Sequence, residues 1–252
     1  MLSRQRQSLI MEYIAAHKSV QVSKLRQEFD ISISTLRRDL ITLEQKGQIA
    51  RVHGGAVLLD HHNELPIRLQ ALQQSEEKKQ IGEAAAKLVE DGDTILITGG
   101  TTTDAMLPFL APKKNLTVIT NSISCAYNLS QLPHIAVVML GGWLRHAGYS
   151  VHGPLTENSL KEFHPNKVFH GIFGICVDTG LTGTNLQEVQ TDRYLISIAP
   201  KLIILADHTK FCRYGPVRLA PIEAVSKVIT DRKAPADEIS ALRGKEIEVI
   251  LV

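Results

Sequence analysis

Residues 31–56 read ISISTLRRDLITLEQKGQIARVHGGA, and this stretch decides the fold of the front of the 252-residue chain. Ser32 stands where a helix N-cap belongs. Leu36, Leu40 and Leu43 form the i, i+4, i+7 stripe of an amphipathic helix, and Gly47 can end it in a left-handed cap. The opposite face carries Thr35, Arg37, Arg38 and Asp39. Beyond the helix, Val52 and Val57 flank Gly54 and Gly55 within Ile49 to Leu58, the pattern of a two-stranded hairpin or wing. Upstream, Ile10, Tyr13 and Ile14 share one face of a helix over about residues 4–17, and Leu25 with Phe29 marks a second short helix. Three helices and a wing thus fill residues 1–59.

A helix that enters the major groove of duplex DNA needs an apolar face for its own domain and a cationic face for phosphates and base edges. The helix after Ser32 offers both. Arg37 and Arg38 point about 100° apart, so one can meet base edges while the other meets backbone, and Ser34 and Thr35 suit hydrogen bonds to either. In the wing, Arg51 and His53 lie beside two glycines, a shape able to approach a phosphate backbone or a minor groove. An Arg-Arg pair alone more often marks a solvated helix face with a local ion pair to Asp39. The tight turn, the capped third helix and the Gly-Gly wing around it favour DNA. Charge leans the same way: residues 1–60 hold nine Lys/Arg against six Asp/Glu, and the remainder nineteen against twenty.

Residues 60–76, DHHNELPIRLQALQQSE, lose any strand period and mark a connection to a second domain over 77–252. There, helices alternate with short β-branched strands: helix 78–88, strand 94–98, helix 104–110, strand 116–120, helix 123–132 and strand 136–140. Strands at 168–175, 202–206 and 228–230 continue the series, with a helix near 188–198. The alternation predicts an α/β domain whose parallel sheet is covered on both faces. Composition is that of an ordinary globular chain, with 44% hydrophobic and 21% charged residues and a net charge of +2, which excludes a disordered or collagenous protein. The longest nearly apolar run, Ile135 to Leu144, is far short of the roughly 18 residues of a membrane span. The opening MLSRQRQSL lacks the apolar stretch of a signal peptide, so a cytoplasmic protein without membrane contact is expected. Cys125, Cys176 and Cys212 are widely spaced and contain no C-x-x-C pair, so they read as reduced structural thiols rather than disulfides or zinc ligands.

The strand at 94–98 runs into Gly99-Gly100-Thr101-Thr102-Thr103 and then a helix. Backbone amides at a helix start attract anions, glycines let a ligand approach, and three hydroxyls add hydrogen bonds, so Gly100, Thr101, Thr102 and Thr103 suit a phosphate. Neither a Gly-Lys-Ser/Thr nor a G-x-G-x-x-G pattern is present, which disfavours nucleotide cofactors. Open parallel sheets bind ligands beyond the carboxyl ends of their strands. Thr120-Asn121-Ser122, Gly141-Gly142, Gly174 and Asp207-His208-Thr209-Lys210 occupy such ends in this reading. Asn121 and Gly141 could meet hydroxyls or carbonyls, while Glu188, Asp207 and Lys210 add charge suited to a sugar phosphate.

The run Ile31 to Leu40, with Leu43-Glu44, Gly47, Arg51 and His53 to Ala56, resembles the DNA-binding signature of DeoR-family bacterial transcriptional regulators. The likeness continues through Glu77-Lys78, Asp91 to Asp93, Gly100 to Thr103, Val118 to Ser122 and Leu140 to Gly142. Gly153, Asp207 to Phe211 and Ile229 to Asp231 extend it over about residues 3–250. The resemblance implies an N-terminal winged helix-turn-helix reading through Ser34, Thr35, Arg37 and Arg38. It also implies a sensor domain similar to ribose-5-phosphate isomerase that binds phosphorylated sugars. Glu188 sits where members carry Glu, and Asp192 departs from a position that is often basic.

Glu188, Asp207 and Lys210 are chemically capable of aldose–ketose isomerisation, so an isomerase with an appended DNA-binding domain is the alternative. The Asp-Gly-Ala-Asp-Glu and Lys-Gly-Gly-Gly stretches associated with that isomerase are missing. Binding without turnover is therefore the expectation, with no catalytic residue, metal or cofactor assigned. The expected partners are operator DNA, a phosphorylated sugar that releases a repressor, and further copies of the chain in a dimer, tetramer or higher oligomer.

Overall fold

The computed structural model of the protein describes residues 3–17, 19–45, 49–52, 54–58 and 67–252. The chain divides into two units, Met1–Leu69 and Gln70–Val252. In the first, helix α1 (Ser3–His17), strand β1 (Ser19–Gln21), helices α2 (Val22–Phe29) and α3 (Ile33–Gln45), and strands β2 (Ile49–Val52) and β3 (Gly55–Leu58) follow in order. The stripe on α3 packs as its spacing demands: Leu36, Leu40 and Leu43 share a core with Ile10, Ile14, Leu25 and Ile49. Each such buried side chain contributes about 1.5–3 kcal/mol.

Asp30, at φ 44, ends α2 in the left-handed region and turns the chain toward α3. The Ser32 hydroxyl accepts the Thr35 N–H at 3.2 Å, the cap expected there. The wing is three-stranded rather than two-stranded, because β1 pairs antiparallel with β3 and gives the order β1-β3-β2. Three residues are too few for alternation to announce a strand; pairing with β3 makes it one. Gly47 and His53 lie outside the described residues.

The second unit starts within α4 (Ile67–Leu72) and continues through α5 (Ser75–Lys87), β4 (Thr94–Ile97), α6 (Thr101–Asp104), β5 (Thr117–Thr120), α7 (Ile123–Leu129) and β6 (Ala136–Met139). A hairpin of β7 (Trp143–Arg145) and β8 (Ser150–His152) follows, then α8 (Pro154–Leu160), β9 (Lys167–Gly171), β10 (Gly174–Cys176), β11 (Gly180–Gly183) and α9 (Leu186–Ser197). The chain closes with β12 (Leu202–Leu205), β13 (Val217–Ala220), β14 (Lys227–Thr230), α10 (Ala236–Gly244) and β15 (Glu248–Leu251). Seven strands form one parallel sheet in the order β15-β14-β12-β9-β4-β5-β6. Successive residues serve opposite faces: Ile95, Ile97, Phe169, Ile203 and Leu205 pack under α5 and α7. Leu96, Val168, Leu202 and Ile204 pack under α9 and α10. A strand covered on both faces reads as an unbroken apolar run, which is why these segments were recognisable.

Two expectations are corrected. Residues 168–175 are not one strand: β9 ends at Gly171, and β10 joins an antiparallel sheet of order β10-β11-β13. Gly174 therefore opens a strand of that smaller sheet and does not stand at the carboxyl end of a parallel one; a side chain there would collide with the Arg213 carbonyl. The helix expected at 104–110 is split into α6 and a 3-10 turn at Leu107–Leu110, where Pro108 lacks the amide needed to continue an α-helical ladder.

Candidate functional site

On α3, Arg37 and Arg38 are exposed, and no ion pair engages either guanidinium among the described residues. Asp39 is not on their face. It is buried, and its carboxylate accepts Arg6 Nε at 2.5 Å and Gln7 Nε2 at 3.1 Å. The Asp39 carboxylate in turn raises the Arg6 pKa, chiefly through that hydrogen bond. The acid that could have neutralised the Arg pair instead ties α3 to α1, which leaves the outward face cationic. Ser34 is exposed and Thr35 half-buried, and both hydroxyls contact the Ser32 cap, at 3.0 and 2.8 Å from its oxygen. Arg51 is exposed in the wing, but its Nε donates to Glu44 at 2.7 Å and its amide to the same carboxylate at 3.2 Å. Arg51 thus braces β2 against the end of α3.

In the second unit, β4 has β5 on one side and β9 on the other, so the chain order reverses between β4 and β9. At such a switch point the loops diverge and leave a crevice beyond the strand ends. Glycines line it: the Gly171 amide meets the Thr98 hydroxyl at 3.4 Å, and a β-carbon on Gly171 would lie 3.8 Å from Gly100 Cα. Asn121 is buried and binds the loop, accepting the Gly99 amide at 3.1 Å and donating to the Val151 carbonyl at 3.2 Å. Thr102 and Thr103 are buried, and the Thr103 hydroxyl donates to the carbonyls of Thr98 and Gly100, both at 2.8 Å. Of the three threonines, Thr101 is the more open, and Gly141 has free space beside it while its carbonyl accepts Thr156 at 2.7 Å.

The β7–β8 hairpin supplies groups that no sequence pattern announced. A β-carbon on Gly99 would lie 3.0 Å from Ser150 Cβ, and one on Gly148 would lie 3.1 Å from an Arg145 guanidinium nitrogen and 3.2 Å from Ser150 Oγ. Arg145 Nε is 3.3 Å from a Glu188 carboxylate oxygen, so Glu188 reaches this side of the sheet through the hairpin. Burial, then the Glu188 charge, raises the Asp192 pKa well above the carboxylate range, with Arg145 opposing. Ser150 Oγ and His152 Nε2 are 2.7 Å apart. Burial pulls both His152 and His170 down to about 4.

Asp207 and Lys210 group around Lys78 at the end of β12, the strand next to β9. Asp207 is buried and caps its own turn by accepting the Thr209 amide at 3.0 Å. Lys78 is buried on the apolar stripe of α5 beside Ile81 and Ala85, with Nζ 2.7 Å from the Gln73 carbonyl. Burial lowers it to about 8 while Asp207 opposes and Lys210 assists; burial also lowers Lys210, again against Asp207. A lysine at a core position of a helical stripe was a signal present in the sequence. Arg145 gave none. Among the described residues, Cys176, Cys212 and Glu238 also come together as potential metal ligands.

Residues 6–62 match the family of DeoR-like helix-turn-helix domains, and residues 73–232 match the DeoR C terminal sensor domain. The chain belongs to the DeoR family. Its relatives span the same length. An uncharacterised HTH-type transcriptional regulator of Bacillus subtilis, YulB, is 34% identical, covering 100% of this chain and 98% of its own. The glycerol-3-phosphate regulon repressor of Escherichia coli is 30% identical over 100% of both chains. IolR, an HTH-type transcriptional regulator of Bacillus subtilis, is 31% identical over 90% of both. Among solved structures, ribose 5-phosphate isomerase A of Methanocaldococcus jannaschii aligns at 18% identity with a TM-score of 0.41, covering 55% of each chain. As a DeoR-family member the chain is a DNA-binding transcriptional regulator and not an enzyme. No helix among the described residues is long and apolar enough to cross a membrane.

Proposed function

We propose that this regulator represses genes of carbohydrate catabolism and leaves its operator when a phosphorylated sugar enters the crevice at the switch point. The observation that carries the ligand site is the chain reversal between β4 and β9, with Gly99, Gly100 and Gly171, which carry no side chains, at the strand ends beside it. A phosphate fits the amides beside Gly100 and Thr101. Arg145 and Glu188, from the hairpin and α9, then supply charge for the sugar or its phosphate, and Asn121 holds the loop in shape. The relative named as the glycerol-3-phosphate regulon repressor supports a small phosphorylated effector.

On the DNA side, Arg37, Arg38, Ser34 and Thr35 form the reading face, with the wing as flank. One such module makes few contacts, so specific affinity requires at least a dimer on half-sites about 34 Å apart, or a multiple of that. A sugar phosphate that binds the DNA-free arrangement more tightly shifts the population off DNA, and operator DNA weakens sugar binding by the same factor. The test is Thr101→Glu, whose carboxylate would repel the phosphate from a half-exposed position. Operator binding should be unchanged in a mobility-shift assay while release by sugar phosphates is lost. Release equal to that of the unaltered protein would place the ligand elsewhere.

A further inference from the structure

We infer that Cys176, Cys212 and Glu238 form a binding site for a thiophilic divalent cation of the Zn2+ type. Their spacing along the chain hides the cluster, which the fold assembles. Cys176 ends β10, Cys212 follows the Asp207–Lys210 turn, and Glu238 lies in the first turn of α10. The Cys212 amide donates to the Ile175 carbonyl at 2.9 Å, and Ile175 forms a parallel bridge with Phe211. The two cysteines are thereby set side by side on neighbouring extended segments.

The two sulfurs and a Glu238 oxygen all lie within 4.8 Å of one another. Cys176 Sγ is 3.6 Å from Glu238 Oε1. A tetrahedral zinc centre, with bonds of about 2.3 Å to sulfur and 2.0 Å to oxygen, has a sulfur–oxygen edge of about 3.5 Å and a sulfur–sulfur edge of about 3.8 Å. The second Glu238 oxygen is occupied, accepting the Val177 amide at 2.9 Å. That bond orients Oε1 toward the sulfur, as outer partners orient metal-binding carboxylates. The backbone at Cys212 is left-handed, φ 52, a rare state for a residue other than glycine or asparagine, and the side chain is exposed. The exposed side gives an ion a way in and leaves its fourth position to water. Two thiolates and one carboxylate select zinc over magnesium or calcium. Occupation would also brace the turn carrying Asp207 and Lys210, which lies just before Cys212.

The experiment uses the full-length, reduced, chelator-treated protein, titrated with Zn2+ against a chromogenic chelator and separately with Co2+. One tight equivalent is expected, and the Co2+ form should show sulfur-to-cobalt charge-transfer absorption in the near ultraviolet. Cys212→Ser, at an exposed position that leaves the core intact, should abolish both signals. Cys176→Ser should do the same, Glu238→Gln should weaken Zn2+ by about tenfold or more, and Cys125→Ser should change nothing. Absence of the charge-transfer band would overturn the proposal. So would undiminished zinc uptake in Cys212→Ser, or a Cys176–Cys212 disulfide formed in air by a protein whose reduced form takes up no metal.

Discussion

Arg37 and Arg38 stand exposed on α3 without a partnering carboxylate among the described residues, whereas Arg145 in the second unit is held by Glu188 and Lys78 is buried against backbone carbonyls. The contrast follows from what each charge has to meet. A helix that docks on a polyanion gains by releasing counterions from the duplex, so its cations are best kept solvated and uncommitted until contact. A crevice for one small molecule must be shaped beforehand, since ordering loops at the moment of binding would cost affinity. Hence the polar groups of the second unit, Asn121, Thr103 and Asp207 above all, are largely spent on holding loops in place.

The severest way to break this comparison is to remove the platform of α3. Leu40→Ala should destabilise the first unit by about 2–5 kcal/mol. Thermal unfolding should then show that unit melting early with operator binding lost, while the transition of the second unit stays in place. A single transition shifted as a whole would mean that the units are not thermodynamically separate.

Acid tests the preorganised unit. His152 and His170 are buried and lowered to about 4, below the unfolded value near 6.5, so their stabilisation is present above about pH 6.5 and is lost as pH falls toward 4. Each shift corresponds to something on the order of 3 kcal/mol. Asp104 runs the other way: burial raises it to about 6, so it costs stability as pH rises from about 4 to 6. Asp192, also raised by burial, acts in the same sense as Asp104, so the histidines are read by difference. Urea unfolding at pH 7 and pH 5 should show His170→Asn losing less stability on going to pH 5 than the unaltered protein does, and Asp104→Asn losing more; a pH dependence unchanged in His170→Asn would refute the histidine assignment.

Arg37→Ala sharpens the reading of α3. If Arg37 contacts a base edge, the loss is about 1–3 kcal/mol of discrimination confined to one operator position; a phosphate contact would weaken all sequences alike and lower the salt slope by about one. Binding isotherms at several salt concentrations separate the two, and no change in either would remove Arg37 from the interface. The smallest effect is expected from Glu44→Ala, which frees Arg51 from an exposed pair worth less than about 1 kcal/mol. Fold stability should hardly move, and operator affinity should rise slightly if the released guanidinium finds a phosphate. A large loss of affinity would mean that Arg51 acts through its braced position.

Local rules determined much of this protein from sequence. The stripe of Leu36, Leu40 and Leu43, the Ser32 cap and the Arg pair all lie within a few helical turns, so 3.6-residue periodicity and capping chemistry suffice to expose them. The parallel strands were likewise readable, because burial on both faces leaves an uninterrupted apolar run. Tertiary structure alone decided where the polar groups went: Asp39 to Arg6, Glu188 to Arg145, Lys78 to backbone carbonyls, and Cys176 beside Cys212. Arg145 and Cys176 reach their distant partners through β7–β8 and β10, elements too short to carry a period of their own. Periodicity reports which side of an element faces the core, and it carries no information about which distant charge will be waiting there.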